Sequence, residues 1–199
     1  MIASPTAARA AAVGAGAATT VTLGLTLPAD DGPSAFDTAV AEPVRDAVSP
    51  AAAHWLVAPS NGPVVLILLL AACAWFAVRG QWWRAATMLV VPEVALAVNT
   101  WVLKPLWDRQ LHDYLAYPSG HTVHLVAVAT TFACLVTGAR TRIAVAVLTL
   151  LALAASAAGM IELGYHHPTD VLGGAAAAVA LAIGGCWVAA APRFRRDRR

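Results

Sequence analysis

The sequence predicts an all-α integral membrane protein, a six-helix bundle forming one domain over residues 1–199. Two observations predict it. Charged residues make up 12% of the chain against 59% hydrophobic ones, whereas a soluble domain carries about 25% charged residues. Six apolar stretches of roughly the 20 residues that cross a bilayer core also recur, at Thr6–Leu27, Pro63–Val78, Ala85–Leu103, Ser119–Thr137, Ile143–Leu163 and Thr169–Ala191. Six spans leave little room for a separate soluble domain.

The first stretch is rich in Ala, Gly and Thr, with Arg9 near its start. Its charged n-region is minimal and its apolar part exceeds the roughly 7–15 residues of a signal-peptide core, so it is expected to be retained. Residues 28–60 are polar and acidic, with Asp30, Asp31, Asp37, Glu42 and Asp46 interrupted by Pro43 and Pro50. They predict an external loop with a short interfacial helix. Trp82, Trp83 and Trp101 stand near span ends, as interfacial anchors do. Glu93, mid-span after Pro92, is expected to face the bundle interior. The tail at 193–199 carries five arginines, each contributing about 1 kcal/mol of attraction to anionic cytoplasmic lipid.

Orientation follows from basic residues, which concentrate in cytoplasmic loops. With the N-terminus inside, Arg9, Arg79, Arg84, Arg140, Arg142 and the tail place ten of the 13 basic residues inside. Only Arg45, Lys104 and Arg109 lie outside. Two of these three adjoin a polar cluster at the head of the fourth span, which predicts chemistry on the extracytoplasmic face of a multi-pass cell-membrane protein. Cys73, Cys134 and Cys186 fall inside apolar spans without metal-type pairing and read as packing residues. No phosphate-binding glycine loop and no nucleic-acid signature occurs. The net charge of +2 indicates no polyanionic partner.

Two polar clusters carry the candidate chemistry: Tyr117-Pro118-Ser119-Gly120-His121, and His166-His167-Pro168-Thr169-Asp170. Ionisable groups at membrane depth are costly and mark functional sites. In the predicted topology both clusters, with Lys104 and Arg109, face one side. Lys and Arg suit phosphate oxygens, the N-terminus of the fourth span adds free N–H groups and a favourable dipole, and Gly120 lets the backbone approach closely.

Lys104 to Arg109, then Pro118-Ser119-Gly120-His121, then His166-x-x-x-Asp170 before a final apolar span resemble the three motifs of the type 2 phosphatidic acid phosphatase family. The resemblance spans about Asn99 to Gly174. It implies a lipid phosphatase with His166 as the nucleophile, Asp170 orienting it, and His121 as general acid and then base. Lys104, Ser119 and Gly120 would bind the phosphoryl oxygens. The substrate would be a lipid phosphate: a polyprenyl diphosphate, phosphatidic acid or phosphatidylglycerol phosphate. Neither a metal nor another cofactor is implied. Two family arginines are replaced, by Leu111 in the first motif and Met160 in the third. A hydrogen bond to a charged group contributes roughly 1.5–3 kcal/mol, so the loss would slow the reaction on the order of a hundred- to ten-thousandfold. Arg109 is the expected substitute, with Glu162 a possible partner for it or for Lys104.

Single-residue alternatives are structural. His121 and Asp170 can serve as helix-terminal polar residues, and His124, His112, His167 and His54 are expected to pack or solvate. At the level of the chain, the alternatives are a catalytically degenerate lipid-phosphate-binding protein and a small membrane transporter lined by Glu93 and Glu162. Oligomeric state is left open.

Overall fold

The computed structural model describes residues 5–196, with side chains over 6–190; the predicted basic tail at 193–199 lies outside the described side chains. The chain runs α1 (Pro5–Leu25), α2 (Ala35–Ala47), α3 (Pro50–Leu56), a 3₁₀ turn (Ala58–Ser60), α4 (Gly62–Ala77) and α5 (Trp82–Val98). A π-helical turn (Asn99–Leu103) then leads into α6 (Lys104–Trp107), a two-stranded hairpin β1 (Gln110–Leu111) and β2 (Tyr114–Leu115), α7 (Gly120–Leu135), α8 (Ala139–Glu162) and α9 (Pro168–Arg196). The hairpin is antiparallel, with Gln110 opposite Leu115 and Leu111 opposite Tyr114.

Four helices are long and apolar enough to cross a membrane: Pro50–Ala77, Trp82–Trp107, Ala139–Glu162 and Pro168–Ala190. The other two expected spans are helical as well. One of them, α7, has 16 residues, fewer than the roughly 20 that span a bilayer core, and α1 stands outside the four. The protein is therefore an all-α multi-pass membrane protein in which four of the six expected spans meet that measure of length and apolarity. Of the two that fall outside it, α7 is largely enclosed by protein.

Its enclosure is visible in the core. Val123, Val126 and Ala127 of α7 pack with Val91 and Ala95 of α5 and Ala177, Ala178 and Ala182 of α9. The opposite side of α7 presents Leu125 and Val128 to Val65, Leu69 and Phe76 of α4 and Met88 of α5. Lipid-facing positions such as Ile67, Val90, Leu148 and Leu151 stay exposed, as the bilayer requires of apolar side chains outside the bundle.

Residues 28–60, expected to be an external loop with one short interfacial helix, hold two helices. Ser34 and Asp37 form a capping box that starts α2, and Ser49 with Pro50 starts α3, local signals that satisfy the first N–H groups of each helix. Both helices dock on the bundle. A Cβ at Gly159 of α8 would lie 2.6 Å from the Ala53 carbonyl and 2.7 Å from the Val57 nitrogen, so only glycine admits α3 at this distance.

A similar approach fixes the start of α9. A Cβ on Gly173 would fall 2.3 Å from the Tyr117 ring, and one on Gly174 2.8 Å from the Ser119 carbonyl. Gly173→Ala is expected to cost about 1–3 kcal/mol through overpacking and to lower the thermal unfolding midpoint in detergent. An unchanged midpoint would mean that α9 does not pack this closely.

Candidate active site

One end of the bundle collects the polar residues. The π-helical turn breaks the regular register of α5 just before Lys104; such turns re-aim side chains and are frequent at functional sites. Asn99 within it donates to the Pro118 carbonyl at 3.2 Å, tying this turn to the head of α7. At the far side, Gly164 ends α8 with φ +69°, a conformation glycine adopts without strain, and the chain turns so that His166 enters the site.

Lys104, Tyr114, Gly120, His121, His124 and His166 line one cavity of about 420 Å³, with Ser60, Gly62 and Leu96 on its flank. The His121 and His166 rings stand 5.8 Å apart between centroids, at 74°. Tyr114 meets His166 from another side at 6.1 Å, ring edge to ring face. Its hydroxyl donates to the Tyr165 carbonyl, and burial and the nearby Asp170 raise its pKa. Lys104 Nζ donates to the Leu115 carbonyl, so the hairpin holds the lysine at the cavity wall. A Cβ at Gly120 would touch only Asn99 and Lys104, at 3.9 Å.

Behind His166 lies Asp170, fully buried. Its Oδ2 is 3.6 Å from His166 Nδ1 and accepts the His167 N–H at 2.8 Å. No hydrogen-bond partner is within reach of His166 Nδ1, and Asp170 is the carboxylate beside it. Burial, followed by the charge of Arg109, lowers the pKa of His167. The Asp170 carbonyl accepts the Ser119 N–H at 3.0 Å, which joins the heads of α7 and α9 and fixes His121 relative to His166.

Two expected site residues are placed elsewhere. Ser119 is fully buried; its hydroxyl caps α7 by accepting from the Thr122 N–H at 3.4 Å, and lies 4.0 Å from the Met160 sulfur. Arg109, expected at the phosphate, is 1% exposed and does not line the cavity. Its Nη1 donates to Asp170 Oδ1 and Thr169 Oγ1, both at 2.8 Å, and its Nη2 to the Gly32 carbonyl at 2.8 Å and Asp37 Oδ2 at 3.3 Å. Two buried carboxylates claim the guanidinium, as buried charges require. Its carboxylate partners are therefore Asp37 and Asp170, not Glu162.

Asp37 arrives from α2 and has no role in the sequence reading, which counts it among the acidic residues of an external loop with a short interfacial helix. Burial works against its charge, but hydrogen bonds from the Thr169 N–H, the Ser34 N–H and hydroxyl, and the Thr169 hydroxyl outweigh burial and lower its pKa. Two further residues were missed. Tyr114 carried no signal, because nothing in the sequence announces a hairpin that folds over His166. His124, one turn after His121 and so able to face the site, was expected instead to pack; it lines the cavity and meets Glu93 at 3.0 Å. The position of the absent third-motif arginine is filled by Met160, fully buried with Val57 and Val171. Among the described residues no group of three or more His, Cys, Asp or Glu side chains is placed to hold a metal ion.

A helical membrane protein with a buried histidine–aspartate pair facing a second histidine across a lysine-bearing cavity is the class that fold and site define. Residues 98–195 match the family model of the PAP2 superfamily, whose members are phosphatases, so this part of the chain is similar to that superfamily. No curated protein and no solved structure matches the chain.

Proposed function

We propose that the protein is a membrane phosphatase that hydrolyses a lipid phosphomonoester through a phosphohistidine. The observation that carries this reading is His166, with Asp170 at one ring nitrogen and the cavity with His121 and Lys104 on its other side. In the first step His166 Nε2 attacks phosphorus and the P–N bond forms. The P–O bond to the lipid breaks as His121 gives its proton to the leaving oxygen. Asp170 accepts the hydrogen bond from Nδ1–H and stabilises the imidazolium, as a carboxylate does in other histidine-assisted sites. Water, deprotonated by His121, then attacks phosphorus; the P–N bond breaks and inorganic phosphate leaves. An imidazole can give a proton in one step and take one in the next, so one residue serves both transfers. Lys104 and the free N–H groups at the head of α7 hold the phosphoryl oxygens.

Charge favours a monoester over a diphosphate. With Arg109 committed to Asp37 and Asp170, Lys104 is the one Lys or Arg lining the cavity among the described residues. That supply suits one phosphoryl group. Gly62 of α4 and Leu96 of α5 flank the cavity, which supports entry of the lipid between these helices. The basic loops at Arg79, Arg84, Arg140 and Arg142 support an extracytoplasmic site in a cell-membrane protein. They also fit a topology in which α1 and α7 cross with the four longer helices.

Phosphate release by the detergent-solubilised protein, without added metal, tests the reading. Phosphatidic acid and phosphatidylglycerol phosphate are expected to show kcat/KM at least tenfold above that of a polyprenyl diphosphate; equal or faster diphosphate hydrolysis would sink the monoester assignment. A second reading, a lipid-phosphate-binding protein without turnover, is favoured by Met160 in place of an arginine, and predicts binding with no release from any of the three.

A further inference from the structure

The carboxylate of Asp37 has no place in the mechanism above, yet it is fully buried and reaches the site from a helix outside the superfamily match. It accepts from the Thr169 N–H at 2.8 Å and the Thr169 hydroxyl at 3.1 Å, one residue before Asp170. It also pairs with Arg109 at 3.3 Å, the same guanidinium that binds Asp170 at 2.8 Å. A carboxylate from α2 thus controls both the backbone and the countercharge of the residue behind His166.

We infer that Asp37 is a positioning residue for the phosphatase reaction, balancing Arg109 so that Asp170 keeps net negative charge for His166. This rests on the function proposed above. The argument is one of charge count. Arg109 and Asp170 alone would neutralise each other, and the imidazolium formed at His166 would face a pair of no net charge. Adding Asp37 leaves the group at −1. When His166 takes phosphorus and becomes cationic, the four side chains sum to zero within a buried site, where uncompensated charge is costly. Before attack, the same −1 is tolerated because Asp37 and Asp170 are satisfied by N–H donors of Ser34, Thr169 and His167. Charge therefore matches the transition state better than the ground state, the condition for raising kcat rather than lowering KM. Lys104 and His121 face His166 from the cavity side and belong to phosphate and leaving group, so neither supplies this balance.

The test is Asp37→Asn, which keeps the shape and removes the charge. We expect kcat to fall about tenfold or more with KM little changed, and Asp37→Glu to recover part of it. A readout independent of turnover is thermal stabilisation of the protein by orthovanadate, whose bond to an imidazole nitrogen makes the ring cationic, against stabilisation by orthophosphate, which forms no such bond. In Asp37→Asn, vanadate affinity should drop about tenfold and orthophosphate affinity should hold. Equal loss of both anions, or of neither, would overturn the inference and leave Asp37 as a docking contact of α2. A wild-type protein that binds both anions yet releases no phosphate would defeat the proposed function, while the vanadate comparison would still decide the role of Asp37.

Discussion

His166→Ala is expected to abolish phosphate release, with kcat down on the order of 10⁴-fold or more, while the protein stays folded and still binds orthophosphate. The magnitude follows from the role. Removing a nucleophile deletes the covalent route itself, and losses of that size are seen when members of a catalytic unit are removed. Retained binding follows from the geometry, since Lys104 and the head of α7 reach the cavity independently of His166. The ring is 5% exposed and its Nδ1 has no hydrogen-bond partner within reach, so truncation removes packing but orphans no donor, and folding should survive. Phosphate release from phosphatidic acid, with orthophosphate binding measured alongside, checks both halves. Residual turnover within tenfold of wild type would eliminate the phosphohistidine and require another nucleophile.

The parts of the site readable from sequence were those carried by short spacing. Ser119-Gly120-His121 at a helix head and His166 four residues before Asp170 are local patterns, and the structure brings Lys104, Gly120, His121 and His166 to one cavity with Asp170 behind it. The unread parts depend on long-range packing. Asp37 lies 72 residues from Arg109, and its acidic neighbours made an external loop with one short helix the natural reading; the capping box starting α2 was the local hint to where this segment folds. The enclosure of α7 was hidden for a related reason. A helix buried inside protein and a helix facing lipid are equally apolar, so α7, at 16 residues, could not be told apart by composition. Arg109 was placed at the phosphate because sequence shows a cation near the motif but not which anion it meets.

Arg109 supplies the second large effect, one that separates a phosphate ligand from a buried counterion. Arg109→Ala leaves the carboxylates of Asp37 and Asp170 facing each other without a cation and removes the donors to Thr169 and Gly32. Breaking a buried pair this way costs about 3–5 kcal/mol, a large share of the roughly 5–15 kcal/mol that holds a typical protein folded. The expected result is loss of most of the folded protein, read as a collapsed thermal midpoint or aggregation on size exclusion. Arg109→Lys keeps the charge, but a single ammonium cannot reproduce the planar fork that spans Asp37, Asp170 and the Gly32 carbonyl; it should fold with a lowered midpoint. Asp37→Asn combined with Arg109→Ala should recover part of the stability lost in Arg109→Ala alone, because one buried charge then remains in place of two, and the two sites are in contact and so are not additive. A phosphate-binding arginine predicts the opposite pattern: Arg109→Ala would stay folded with a raised KM, and Asp37→Asn would not rescue it.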